Sequence, residues 1–542
     1  MLNWQTPEQL ETLVKELVSW ESISTTPGEI DFAHRVAEKL CTLPYFQTNQ
    51  EYLHVGDAGE GRLFLAARTK HPEAVKTIVL ISHFDTVGIE EYGELAPLAF
   101  HPDELGNALQ RHKDLLPPDA QRDLESGDYL WGRGTMDMKA GLVIHMATLE
   151  KAIVEEWPIN MVLLTVPDEE MNSAGMRAAV THLAKWQEEL GLDYGLFLNG
   201  EPVFSMNPSD TSYRIYSGSI GKIMPSALFF GKETHVGEPM RGMTSSLLAA
   251  FMTRRMEMNP LFKEEVHGEV TPLPVTLQQK DMRESYSTQT PFMTSALYNV
   301  FTMKQSAADV MNQFETVAHA AAKEINEWYE AICQMEKVHP VGKVQVLRYE
   351  ELFAYAVKKL GEKTIEAIKQ ECIQRDEHDD REKALQIGKK LLTRCPELAP
   401  AIILLYTPPY YPAVNSSEDA LIQECIEAVK NVANEQFGLK VELGHYFNGI
   451  SDLSYVNYQG DVNGWGAYES NSPVWNATYS IPFADMEKLQ APVLNVGPFG
   501  KDAHKRTERL HIRSAFVETP VLVEKVIQTV IARAGKMEEQ VK

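Results

Sequence analysis

Apolar and polar positions along the chain follow two alternating patterns. Leu10, Leu13, Val14, Leu17 and Val18 recur at helical spacing, which predicts an amphipathic helix over residues 7–19. The same spacing predicts helices over 29–42, 139–155 and 172–189. Between them stand apolar runs of strand length at 62–68, 77–83, 161–166 and 194–199. Strands alternating with amphipathic helices predict a layered α/β sheet. The pattern returns near Ser417, with a helix over 418–437, strands at 441–446 and 493–496, and a closing helix over 520–536.

The segment between these regions reads differently. Residues 212–230 predict strand–turn–strand around Gly218 and Gly221, and 244–257 and 307–330 predict helices. A highly charged helical stretch comes next at about 350–394, then a strand at 401–406 stopped by Pro408, Pro409 and Pro412. Two flanks of one kind around a different middle predict a domain within a domain. Residues 1–211 and 415–542 form a discontinuous sheet domain, and 212–414 form an inserted one. The polar stretch 106–127, with Pro117 and Pro118, is expected to be a surface loop.

Composition narrows the function. The 542 residues carry 76 Asp and Glu against 51 Lys and Arg, a formal net charge of −25. This acidity excludes nucleic acid and anionic membrane as expected partners, since both need a basic surface. Hydrophobic content of 44% and charged content of 23% are those of a globular chain. No apolar run approaches the roughly 18 residues of a membrane span. Glu8, Glu11, Lys15, Glu16 and Glu21 interrupt what would be the apolar stretch of a signal peptide. Five scattered cysteines without a CxxC pair read as free thiols, so a cytoplasmic location is expected.

Five stretches place metal-ligand residue types at predicted strand ends. His83 and Asp85 alternate around Phe84, and a carboxylate beside a histidine fixes its tautomer. Asp137 comes after Gly132 and Gly134 where the chain enters a helix, so it is either a ligand or an N-cap. Asp168, Glu169 and Glu170 are either a site stabilised by a cation or a solvated acidic loop. Glu201 precedes Pro202 in a stretch that could equally be a plain turn, and His504 lies in a Gly-rich loop after the last predicted strand. Ligands of open α/β sheets gather beyond the carboxyl ends of strands. This N/O donor set suits zinc or a similar divalent ion, and suffices for two ions if one carboxylate bridges.

The order and spelling of these stretches resemble the zinc-dependent amidohydrolases and peptidases that include aminoacylase, acetylornithine deacetylase, succinyl-diaminopimelate desuccinylase and carboxypeptidase G. The resemblance extends to residues 17–24, to Pro27-Gly28-Glu29, and to Asn448-Gly449-Ile450-Ser451-Asp452, which is similar to that family's Gly-Gly-Thr/Ser-Asp loop. It implies a central, mostly parallel sheet flanked by helices, with an inserted α+β lid and dimerisation domain. It implies two divalent ions, zinc or else Co2+ or Mn2+. His83 and Glu201 would hold one and Glu170 and His504 the other, with Asp137 bridging and a cis peptide after it.

Asp85 would orient His83, and Glu169 would serve as general base to a metal-activated water, then as general acid. His235, in the Gly231–Pro239 stretch, resembles the lid histidine that stabilises an oxyanion, often across a homodimer. Asn448, Gly449 and Ser451 would contact substrate. Residues 296–303 lack the arginine that often holds the substrate carboxylate in this family. Length and the large middle region look most like the RocB-type arginine-utilisation proteins. The implied activity is cleavage of an amide bond in a small N-acyl amino acid or peptide, with a link to arginine metabolism. The alternatives are a dipeptidase or carboxypeptidase, and a catalytically silent binding protein on the same fold.

Overall fold

The computed structural model describes residues 2–204, 212–375, 377–460 and 462–541. The chain divides into two compact units. The first comprises Met1–Ser219, Val414–Tyr458 and Pro482–Lys542, and the second Ile220–Ala413 and Gln459–Ile481. The expected inner boundary at residue 211 lies outside the described residues.

The first unit is built on an eight-stranded sheet. Its strands are β1 (Leu53–Gly59), β2 (Arg62–Arg68), β3 (Thr77–His83), β4 (Asn160–Val166), β5 (Tyr194–Asn199), β6 (Tyr213–Tyr216), β7 (Val441–Gly444) and β8 (Val493–Asn495). They lie in the order β1-β2-β4-β3-β5-β8-β6-β7. The central strands β4, β3, β5 and β8 run parallel to one another, as do β6 and β7. Antiparallel pairing joins β1 to β2, β2 to β4, and β8 to β6. Every residue of β3 is buried, which is why it reads as one continuous apolar run rather than an alternation.

Register aligns the strand ends. His83 pairs with Val166, and Ile81 with Asn199. The chain therefore leaves β3, β4 and β5 side by side at one carboxyl edge, with 84–86, 167–170 and 200–202 as neighbours.

Helices cover the sheet. Pro7–Val18 starts on a capping box in which Thr6 and Gln9 bond reciprocally, and it buries the five apolar residues that predicted it. Ala140–Val154 is buried nearly all round. Within it, a Cβ at Gly141 would stand 2.3 Å from the Gly200 carbonyl oxygen, so glycine alone lets this helix close on the strand end before Glu201. Gly141→Ala is expected to cost about 2 kcal/mol through overpacking. Thermal unfolding checks this: a melting temperature equal to wild type would refute the close-approach constraint.

The second unit holds a six-stranded sheet. Met293–Thr302 pairs antiparallel with Gly221–Ile223, Pro225–Phe230 and Val275–Asp281. Ala401–Tyr406 continues the sheet beside Pro225–Phe230, and Gln345–Arg348 runs parallel to it. The charged stretch forms three helices, Tyr349–Leu360, Glu362–Ile373 and Asp380–Thr393. Gln459–Ile481, expected with the sheet domain, groups here because Tyr468 of the helix Val462–Asn471 stacks on Tyr406 at 5.1 Å and Tyr410 at 4.9 Å.

The expected loop at 106–127 is corrected. Most of it belongs to two short helices, Pro102–Arg111 and Pro118–Ser126, each begun by a proline in its first turn and joined by residues 112–117. Each buries only a few residues, Pro102, Leu105, Ala108 and Leu109 in one and Ala120 and Leu124 in the other, too sparse a stripe to stand out against the polar background. Among the described residues, no helix is long and apolar enough to cross a membrane.

Candidate metal centre

The centre is assembled at the carboxyl edge of β3, β4 and β5. His83, the last residue of β3, is 1% exposed. Its Nδ1 lies 3.1 Å from the main-chain carbonyl of Asp85 and 3.4 Å from that residue's Oδ1. Donation from Nδ1 to this oxygen leaves the Nε2 lone pair aimed into the cluster. The Asp85 carboxylate is itself a hub. It accepts the amides of Glu169 at 3.0 Å and Glu170 at 3.2 Å, and the Ser24 hydroxyl at 2.7 Å. One buried carboxylate thus fixes the turn that presents the next two acids.

That turn explains the three consecutive acids. Asp168 takes a left-handed backbone conformation, with φ of 67°. Its carboxylate receives Arg62 Nη1 at 3.0 Å and the Ala174 amide at 3.0 Å. Asp168 is therefore spent on the turn, while Glu169 and Glu170 face inward. Asp137 does not cap the helix after it. Its backbone is extended (φ −115°, ψ 98°), the peptide to Met138 is cis, and Lys139 stands at the N-cap of Ala140–Val154. Glu201 enters from β5, with its carbonyl held by Asn495 Nδ2 at 3.0 Å. His504 arrives from a loop in which Asp502 and His504 both have positive φ, 59° and 65°.

Asp137 is central. Its Oδ1 lies 3.2 Å from His83 Nε2, and its Oδ2 lies 3.1 Å from His504 Nε2. Around His83 Nε2 stand Glu201 Oε1 at 3.5 Å and Glu169 Oε2 at 4.0 Å. Around His504 Nε2 stands Glu170 Oε1 at 3.0 Å. Donor atoms of His83, Asp137 and Glu170 all fall within 4.8 Å of one another, the spacing of a cation site.

The electrostatics test the fit. Burial, and then neighbouring carboxylates, push Glu169 and Glu201 well above the usual carboxylate range despite the nearby His83. Burial raises Glu170 as well, and the Asp137 charge adds to it. Burial opposes a charge on His504, yet Asp137 and Glu170 overcome it and push the imidazole up to about 11. Burial likewise opposes ionisation of Asp137, and the two imidazoles hold it below the ordinary range. So many acids converge that the cluster retains protons which a divalent cation would displace. Two imidazoles and several carboxylates are the N/O set that zinc and related ions prefer.

Asp452 joins the cluster although it is not among the expected site residues. It is buried, its carboxyl is pushed up to about 7 chiefly by burial, and its charge raises both Glu169 and Glu201. A signal for it exists in the sequence, because Asp452 ends the Asn448–Asp452 motif. A cavity of about 540 Å³ opens over Glu169, Glu170, Glu201 and His504, with Phe204 and Phe447 in its wall. From the expected substrate loop, Gly449 lines this cavity, Asn448 is half-buried and Ser451 is buried. His235 belongs to the second unit, where it is exposed and its Nδ1 accepts the Gly237 amide at 3.0 Å. Residues 296–303 begin within the strand Met293–Thr302 of the same unit.

Residues 108–489 match the model of peptidase family M20/M25/M40. The chain is 41% identical to the uncharacterized protein YqjN of Bacillus subtilis strain 168 over 539 residues, 98% of each chain. It is 30% identical to protein RocB of the same organism, covering 95% of this chain and 94% of RocB. The solved structure of the di-peptidase Dug1p from Saccharomyces cerevisiae shares the fold, with a TM-score of 0.55 at 10% identity over 97% of this chain and 96% of that one. The chain belongs to peptidase family M20/M25/M40, and is a metal-dependent amidohydrolase or peptidase.

Proposed function

We propose that this chain is a two-ion hydrolase that cleaves an amide bond in a small N-acyl amino acid or short peptide, with Glu169 as general base. The observation that carries this reading is the Asp137 carboxylate, whose two oxygens face two different histidines at 3.2 and 3.1 Å. His83 and Glu201 would hold one ion, His504 and Glu170 the other, and Asp137 both. Ions bound there would supply positive charge to polarise a carbonyl and to acidify a water.

The residues of the chain do the rest. Asp85 and the carbonyl behind His83 orient donors and hold the 168–170 turn. Glu169, in the cavity wall, takes the proton of the attacking water and returns one to the departing nitrogen. Phe204 and Phe447 offer an apolar surface to the substrate beside the acids. Gly449, with Asn448 and Ser451, is read as the loop that contacts substrate, and His235 of the second unit as an oxyanion donor within a homodimer. The resemblance to RocB-type proteins makes arginine-related N-acyl and peptidic substrates the first to test, in a cytoplasmic setting.

The test is metal analysis and then hydrolysis of a panel of N-acyl amino acids and dipeptides, with chelated enzyme as control and light scattering for the dimer. Hydrolysis that the chelator abolishes is the expected result. A panel without any chelator-sensitive cleavage would sink the reading, and a monomer would remove His235 as a donor across subunits.

A further inference from the structure

Among the described residues, two arginines, Arg133 and Arg509, are the largest fully buried side chains. Both join the stretch between His83 and Asp137 to the loop that carries His504. Arg133 bonds Glu508 and Glu91, and its Nε donates to the Gly88 carbonyl at 3.1 Å. Arg509 is committed on every nitrogen. Its Nε donates to Asp123 Oδ2 at 2.8 Å and its Nη2 to Asp119 Oδ2 at 3.0 Å. Its Nη1 donates to Asp502 Oδ2 at 2.5 Å and to the Thr507 carbonyl at 2.9 Å. Asp119 and Asp123 stand on the helix Pro118–Ser126, and Asp502 lies two residues before His504.

The histidine needs such support. His83 is packed at the end of a buried strand, whereas the His504 side chain is 49% exposed and gains little from packing. Its loop also holds two non-glycine residues in left-handed conformations, which persist only where their surroundings enforce them. Thr507 Oγ1 donates at 2.8 Å to the same Asp502 oxygen that Arg509 binds, which closes the loop on itself. The planar guanidinium presents its donors in a rigid fork toward the carboxylates of helix and loop, where a lysine ammonium is a compact point charge on a flexible stem.

We propose that Arg509 is a positioning residue for His504, with the helix Pro118–Ser126 as the anchor it works against. This rests on the proposed role of His504 as a ligand. When the clamp is lost, the 502–504 turn relaxes and the His504 ring leaves the Asp137–Glu170 side. The His83–Glu201 side is held by strand ends and stays intact, so the expected signature is selective loss of one ion of two.

The experiment dialyses the metal-stripped full-length chain against zinc and counts bound zinc by elemental analysis. It compares wild type with D119N/D123N, R509K, R509M, H504A and H83A. In D119N/D123N and R509M one zinc is expected to bind at least 10-fold more weakly and the other unchanged, as in H504A. R509K should lie between, because it keeps the charge and loses the fork. Circular dichroism monitors folding. If R509M does not fold, D119N/D123N decides, since those aspartates are 36% and 15% exposed and their amides keep the size, with K501M read beside it because Lys501 Nζ also donates to Asp123 Oδ2 at 2.8 Å. Wild-type affinity for both ions in D119N/D123N, with one ion lost in H504A, overturns the clamp alone. Equal weakening of both ions in D119N/D123N overturns it too. Unchanged zinc in both H504A and H83A overturns the ligand reading and the clamp with it.

Discussion

Glu169→Gln is expected to lower kcat by about 100- to 10,000-fold while metal content and melting temperature stay at wild-type values. The residue is 4% exposed, lines the cavity beside Glu170 and Glu201, and has its backbone amide fixed by Asp85 at 3.0 Å. An amide of the same shape preserves packing and the 168–170 turn but cannot accept a proton. General acid–base catalysis contributes about 100- to 10,000-fold, so the loss should correspond to about 3–5 kcal/mol of barrier. Its Oε2, at 4.0 Å, is the most distant of the three carboxylate oxygens around His83 Nε2. Removing its charge should accordingly leave the ligand set in place. Turnover within a few-fold of wild type, measured on any substrate the enzyme accepts, would remove Glu169 from the role of base.

Stripping the metal is expected to abolish hydrolysis and to destabilise the fold in a pH-dependent way. Without cations, Glu169, Glu170 and Glu201 are raised chiefly by burial and hold protons that ligation must expel. Zinc binding should therefore release protons, and affinity should rise with pH. Titration calorimetry in buffers of different ionisation enthalpy reads this directly, and binding enthalpies independent of the buffer would contradict it.

The sign for stability comes from Asp452, which burial pushes up to about 7 from the ordinary 3.8. Between those two pH values the stripped native state binds more protons than the unfolded chain, so its stability falls as pH rises. The zinc-loaded form gains about 4 kcal/mol when free zinc stands a thousandfold above its Kd. The gap in melting temperature between loaded and stripped protein should widen from pH 5 to pH 7. A constant or narrowing gap would show that these carboxyls are not the groups that zinc neutralises.

Much of the first unit was legible along the chain because its elements have strong one-dimensional signals. β3 is apolar throughout since both its faces are covered, and Pro7–Val18 carries a clean apolar stripe and its own cap. Edge elements were harder. β1 is a half-exposed edge strand, and its mixed pattern carries little periodicity. The helices Pro102–Arg111 and Pro118–Ser126 bury too few residues to be seen as helices.

The candidate site divides in the same way. Residue type and order determined which side chains could meet a cation, because His83, Asp137, Glu169, Glu170, Glu201 and His504 all sit in short strand-end motifs. Their partnership was decided only by tertiary structure. Register across β3, β4 and β5 brings residues 83, 170 and 201 to one edge although more than 100 positions separate the first from the last. Folding also assigned Asp168 to the turn and Glu169 to the cavity, a distinction invisible in three consecutive acids, because Arg62 and the Ala174 amide bind the Asp168 carboxylate. Arg509 reads as one more surface arginine until the fold buries it among three aspartates from two distant segments. Local pattern reports which groups a residue type can bind. Which of them stand within about 3 Å, the reach of a hydrogen bond, is set by long-range packing, and one sequence does not carry that along its length.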